Sequence, residues 1–249
     1  AAAAQVALQE AALAGPPVAE GDPDHHPQLW VVIGGMAKRC GIIVREGADL
    51  GSPTLQRLRR GAVVADMQRR AGRIRFSKLS GGGPQEGWVS LKMPDGQVLL
   101  QQGSVWEVLG SRDQGGVKVR EGVSLDSEEL PRLCAGALVF QVEVRGNRMH
   151  YVRIAGEGPE AGWINLTLPS GQELVVPAKL WLVVSVPGKG GIEVRTSPDP
   201  RWRAEPERLQ PGAVLLERER VEGRLNYRLL AGRGPPGGWV AAALLRKQR

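Results

Sequence analysis

An all-β chain built as three tandem small barrels is the fold that this 249-residue sequence predicts, on three observations. Gly87-Trp88-Val89, Gly162-Trp163-Ile164 and Gly238-Trp239-Val240 are near-identical phrases spaced 75 and 76 residues apart, and a fixed period marks a repeated structural unit. Trp30, Trp106 and Trp181 recur at offsets of 76 and 75, so six of the seven tryptophans belong to the repeat. Between these anchors the apolar residues alternate or come in short bursts bounded by Gly and Pro, which signals strands. Each unit is long enough to enclose a small core of its own, so the expectation is three domains in a row rather than a solenoid.

The units are expected at residues 29–103, 104–179 and 180–249, each opening on an apolar strand that carries Trp30, Trp106 or Trp181. Gly41 to Arg45, Gly116 to Arg120 and Gly191 to Arg195 repeat next, with Arg45, Arg120 and Arg195 expected to brace a loop. Ser52 to Arg60, Ser127 to Ala135 and Glu205 to Pro211 have the local pattern of one helical turn, too short to stand alone. Gly61-Ala62, Gly136-Ala137 and Gly212-Ala213 then lead into strands, followed by strands centred on Phe76, Tyr151 and Tyr227. In the last of these, Leu225, Tyr227 and Leu229 face inward while Arg224, Asn226 and Arg228 face water, the period of two of a half-buried strand. Gly-Pro segments at 81–84, 156–159 and 232–236 break the run before the Gly-Trp strand, whose tryptophans Trp88, Trp163 and Trp239 are expected in the core. Pro94-Asp95-Gly96 and Pro169-Ser170-Gly171 are tight-turn sequences. The third unit lacks that hairpin, so its expected use is as a spacer that carries the chain into the next barrel through Val98 to Leu100 and Leu174 to Val176.

The order Val-Arg, variable loop, Gly-Ala-x-Val, Tyr or Phe strand, Gly-Trp-Val and a Leu-Leu ending resembles the bacterial-type SH3-like domain, a small five- or six-stranded barrel. Residues 29 to 249 carry the resemblance in three copies. The expanded loops and the Gly-Pro segment before Gly-Trp look like those of multi-repeat proteins of unicellular algae. Relatives of such barrels often bind cell-wall peptides, whereas the inserted loops here depart from the compact bacterial pattern, and fold analogy assigns no site.

Residues 1–28 read as an Ala-rich tail, with Val6, Leu8 and Leu13 on a short helix stopped by Gly15-Pro16-Pro17. The tail has four acidic residues and no Lys or Arg. Residues 29–103 carry twelve basic and five acidic side chains, and residues 180–249 thirteen and seven, while the middle unit has eight and ten. The outer barrels are therefore basic. Arg57, Arg59, Arg60, Arg69, Arg70, Arg73 and Arg75 concentrate charge in the first, which suits acidic faces of other proteins, an anionic lipid surface or nucleic acid. Nucleic acid is the least expected, since single-strand binding uses exposed stacking aromatics and the repeat consumes nearly all of them. Trp202, flanked by Arg201 and Arg203, is the exception and has no repeat counterpart. It is a candidate interface anchor, because Trp and Arg are enriched among binding hot spots; packing under its own loop is the alternative.

No Gly-x-Ser-x-Gly elbow, His-Glu-x-x-His pair or phosphate loop occurs, so no catalytic residue, cofactor or metal site is expected. Cys40 and Cys134 occupy unmatched places, and His25-His26 and His150 lack the further ligands that zinc needs. No apolar run reaches the roughly 18 residues of a membrane span. The first residue is Ala rather than Met, for which removal of a targeting segment is the expected reason and a fragment of a longer chain the alternative. The function expected is a non-catalytic accessory or structural subunit that docks on a larger complex through tail, loops and basic outer barrels. By the algal resemblance, a plastid (photosynthetic) or mitochondrial assembly is its expected setting. A free adaptor that takes proline-rich or glycan-linked peptides in a barrel groove is the competing reading.

Overall fold

Nineteen strands and one short 3-10 turn form the regular structure of the residues described by this computed structural model, 28–35, 41–110, 116–183 and 190–247. They make three antiparallel, barrel-like sheets that follow the sequence period. The first holds β1 (Leu29–Val32), β2 (Val63–Arg70), β3 (Arg73–Ser80), β4 (Glu86–Ser90) and β5 (Leu100–Gly103), in the order β4-β3-β2-β1-β5. The second holds β6 (Val105–Val108), β7 (Gly116–Arg120), β8 (Glu129–Cys134), β9 (Leu138–Arg145), β10 (Arg148–Ala155), β11 (Ala161–Asn165) and β12 (Val175–Pro177), in the order β12-β6-β9-β10-β11-β7-β8. The third repeats that arrangement with β13 (Leu180–Val183), β14 (Ile192–Arg195), β15 (Ala204–Leu209), β16 (Val214–Val221), β17 (Arg224–Ala231), β18 (Gly237–Ala241) and β19 (Leu245–Lys247), ordered β15-β14-β18-β17-β16-β13-β19.

Two expectations are corrected. The three stretches read as helical turns are extended: β8 and β15 occupy two of them, and the isolated bridges Ile42↔Leu58 and Arg45↔Thr54 hold the third. Their leucines, Leu58, Leu133 and Leu209, are buried in the barrels, and burial outweighs a helical preference confined to one turn. Nor does the Pro-Gly hairpin carry the chain onward. The strand after it turns back to close its own barrel, with β5 on β1 and β12 on β6. In the third unit a 3-10 turn at Ala242–Leu244 takes the hairpin's place and β19 closes on β13.

Each barrel has its own core. Phe76, Tyr151 and Tyr227 sit among Val44, Val119 and Val194, the loop leucines just named, and Val89, Ile164 and Val240, all buried. The glycine of each Gly-Trp phrase follows from this packing. At Gly87, φ is +147° and a Cβ would lie 2.4 Å from Cγ1 of Val44, so the strand passes too close to that side chain for any larger residue.

A fourth apolar cluster is common to all three barrels. Leu29, Val31, Val63 and Ala65 from the first, Val105, Leu138 and Phe140 from the second, and Leu180, Leu182, Val214, Leu216 and Ala231 from the third are buried together. β1 and β13 are therefore covered on both faces, Trp30 and Val32 turning to their own core and Leu29 and Val31 to the shared one. Every unit touches the other two. Gln101 Nε2 donates to the carbonyl of Val142 at 2.7 Å, Arg218 pairs with Glu107 at 2.7 Å, and the Met67 methyl lies 3.3 Å from where a Cβ on Gly212 would stand. At Gly103 a Cβ would meet the Gln141 carbonyl oxygen at 2.5 Å, so glycine lets the first two barrels close on each other. The units form a closed group of three, where the sequence suggested a row. Burying a Val, Leu or Phe side chain contributes about 1.5–3 kcal/mol, and an apolar interface of this kind opposes free hinging between units.

Candidate functional site

In an antiparallel strand alternate residues face opposite sides, and the Gly-Trp strands use both. Val89, Ile164 and Val240 enter the cores, whereas Trp88, Trp163 and Trp239 lie on the opposite face, buried but outside the core clusters. They are buried, as expected, on the face opposite the apolar clusters. Across the strand pair they face Arg75, His150 and Asn226. His150 stacks on Trp163 with ring centroids 5.2 Å apart, and the Arg145 guanidinium lies 5.7 Å above that ring. Burial holds the His150 pKa below its ordinary value, opposed by the negative charge of Glu143.

Beside each of these tryptophans runs a loop braced by arginine, as the recurrence of Arg45, Arg120 and Arg195 suggested. Their Nη1 atoms donate to the carbonyls of Ser52, Ser127 and Trp202. Trp202 thus has a structural counterpart in each of the other units, a serine whose hydroxyl ties the loop to Gly47 or Gly122. With no hydroxyl to turn inward, the indole of Trp202 stays out, 61% exposed, between exposed Arg201 and Arg203. Leu50 and Leu125 are 65% and 62% exposed in the corresponding loops. All three loops therefore present a large apolar side chain to solvent beside arginine.

The arginines singled out in the first unit divide. Arg57 is a brace: its Nη1 donates to the Gly41 carbonyl at 3.0 Å, as Arg132 and Arg208 do to Gly116 and Gly191. Arg69 pairs with buried Asp66 at 2.6 Å and covers the Trp30 ring at 5.3 Å. Arg59, Arg60 and Arg70 are exposed. Arg59 and Arg60 precede the start of β2 and Arg70 ends it, which puts about 23 Å between the two groups at strand rise. They do not form one patch. Val6, Leu8 and Leu13, with His25, His26 and Cys40, lie outside the described residues.

A further arginine repeats whose place sequence reasoning misread: Arg73 was expected among the surface charges of the first unit and Arg224 facing water, but Arg73 is buried and Nε of Arg224 is covered. Arg73, Arg148 and Arg224 open β3, β10 and β17, and each donates Nη2 to the carbonyl of the Gly-Trp tryptophan, at 3.2, 3.2 and 3.3 Å. Arg73 and Arg148 are buried, and Nε of all three has no acceptor among the described residues. Burial first, and Arg45 or Arg120 second, pushes the pKa values of Arg73 and Arg148 down. The one available signal was the 75- and 76-residue spacing after each hairpin turn, hidden because a single Arg there reads as solvent-facing. In the second unit a pocket of about 190 Å³ opens beside Arg148, lined also by Lys118, Arg120 and Arg132 and by the apolar side chains of Val117, Leu125, Leu168 and Leu174.

Among the described residues Cys134 is a partly exposed free thiol, no group of three His, Cys, Asp or Glu stands ready to hold a metal, and no helix is long and apolar enough to cross a membrane. No protein-family model matches the chain, and no curated protein matches it.

Proposed function

We propose that this chain is a non-catalytic docking subunit, three SH3-like barrels fused into one body that attaches to a larger multiprotein complex through its loop tips and the exposed arginines beside them. One observation carries this reading: Trp202 stands 61% exposed between Arg201 and Arg203, while the tryptophans of the repeat are covered or partly covered. An exposed indole flanked by guanidinium groups supplies a large, stiff contact surface and charge for an acidic partner face. The shared apolar cluster supports it too, because loops held on one body meet a partner together and each contact raises the effective concentration of the next. The resemblance to algal multi-repeat proteins makes a plastid assembly the setting we propose, with a mitochondrial one second.

Size fractionation of native extract tests this, with mass spectrometry of the co-eluting proteins. The expected result is elution in a larger assembly, from which a W202A/R201E/R203E variant is released although it stays folded. Elution of the natural chain as a lone 26.8 kDa species overturns the proposal.

A further inference from the structure

We propose that the pocket of the second barrel binds a carboxylate carried on a short apolar stem, as offered by an aliphatic C-terminal residue or a glutamate side chain of a peptide. Arg148 is 9% exposed. Its Nη2 donates to Trp163 O at 3.2 Å and to Gly122 O at 3.5 Å, and its Nε and Nη1 have no acceptor among the described residues. Buried donors left unmet are costly, more so on a charged group, and a carboxylate is the acceptor to which a guanidinium donates its strongest hydrogen bonds.

The three barrels differ in one telling position. The loop over the arginines carries Asp49 in the first unit, Ser124 in the second and Asp199 in the third, each accepting the amide two residues on: Gly51, Asp126 or Arg201. In the first barrel the charge of Asp49 counters the downward push on Arg73, while only burial and Arg120 act on Arg148. Asp126 and Glu128, acids that the second loop does carry, are exposed. Glu129 pairs with Lys118 at 2.9 Å and Arg120 at 3.8 Å. The second barrel thus keeps the buried cation and has lost the built-in acid at that position. An external carboxylate restores the missing charge. A volume of about 190 Å³ is below the roughly 300–1,000 Å³ of drug-sized sites, so the pocket suits one residue-sized group, with Leu125, Leu168 and Leu174 against its stem.

Titration of the ¹⁵N-labelled full chain, followed at the Arg148 Nε–Hε resonance, tests this. The probes are N-acetyl-leucine, the α-amide of N-acetylglutamate, N-acetyl-leucinamide and inorganic phosphate. A saturable displacement by either carboxylate and none by leucinamide is expected, and the carboxylate that acts identifies the source. S124D puts into the second barrel the acid its siblings carry, and is expected to weaken binding at least about tenfold, the worth of one charge-assisted hydrogen bond, with the fold intact. Equal displacement by leucinamide, displacement by phosphate alone, no displacement, or unchanged binding in S124D overturns the proposal. The site is separate from Trp202, so its failure leaves the docking reading standing.

Discussion

The indole Nε1 of Trp181 donates to Oε2 of Glu217 at 2.7 Å, a carboxylate with a 10% exposed side chain. The same two positions are joined in the other barrels, Trp30 to Asp66 at 3.3 Å and Trp106 to Gln141 at 2.9 Å. In the first and third barrels an arginine, Arg69 or Arg220, covers the ring at 5.3 or 5.7 Å. The second has exposed Val144 at that place, so its tryptophan is held by a neutral pair alone.

Glu217→Ala strands the indole N–H and is expected to cost about 1–3 kcal/mol. Glu217→Gln reproduces the second barrel's pair and is expected to lose less than half as much. Guanidinium denaturation midpoints of the two variants and the natural chain compare them directly.

Phe140 is fully buried in the cluster common to the barrels. Phe140→Ala is expected to cost about 3–5 kcal/mol, and the loss falls on all three units. Tryptophan fluorescence and far-ultraviolet circular dichroism should trace coincident unfolding curves in the natural chain, the mark of a cooperative transition. Separate transitions for the barrels would show that the shared cluster does not couple them.

Gly87→Ala forces a methyl to within 2.4 Å of Val44 at a backbone φ of +147°. Overpacking of this kind costs about 1–3 kcal/mol. Thermal denaturation should show a clear drop in Tm, whereas Gly96→Ala, where nothing lies within 4 Å of the added methyl, should show only the smaller cost of its φ of +88°.

Acid should weaken the fold through His150. Its folded pKa is depressed by burial against Trp163, so near and below the ordinary value of about 6.5 the unfolded chain binds the proton more readily. The stability that neutral His150 contributes is therefore complete above that pH and is lost as pH falls toward the folded pKa. His150→Gln should flatten the slope of stability against pH in this window, with a slope difference of at most about 1.4 kcal/mol per pH unit.

Alkali should weaken it through the two tyrosines. Tyr151 and Tyr227 have pKa values pushed well above the ordinary value, mainly by burial, and their hydroxyls donate to the carbonyls of Pro159 and Pro235. The unfolded chain gives up these protons first, so stability present below about pH 10 declines above it. Tyr227→Phe should lose part of that decline at the expense of one hydrogen bond near neutrality.

The repeat was legible because Trp, Gly and Pro mark it at a constant spacing: a tryptophan in each opening strand, and a glycine where Val44, Val119 or Val194 comes close. Strand alternation likewise placed Leu225 and Tyr227 inside. The helical turns were misread because Ser-x-x-Leu spacing matches both one helical turn and a strand irregularity. β7 with β8 and β14 with β15 both contain such register shifts. The shared cluster left a weaker trace. Leu29 to Val32 and Leu180 to Val183 are continuous apolar runs rather than alternating ones, which signals a strand covered on both faces but does not say by what. The arginines that brace the backbone recur at the repeat spacing, Arg45 with Arg120 and Arg195 and Arg57 with Arg132 and Arg208, whereas Arg59 and Arg60 have no counterpart one repeat on; the spacing marks them, but the carbonyl each one meets is set by loop geometry.

Fusion of the three copies in one polypeptide has a consequence that three separate chains around the same apolar centre would not share. A homotrimer dissociates on dilution and must carry one identical loop three times over. Covalent linkage removes the concentration dependence and lets each arm diverge, so that Ser52, Ser127 and Trp202 stand at matching places, and Asp49, Ser124 and Asp199 at others. A symmetric scaffold thereby presents three unlike tips, and a partner can distinguish one arm from the next.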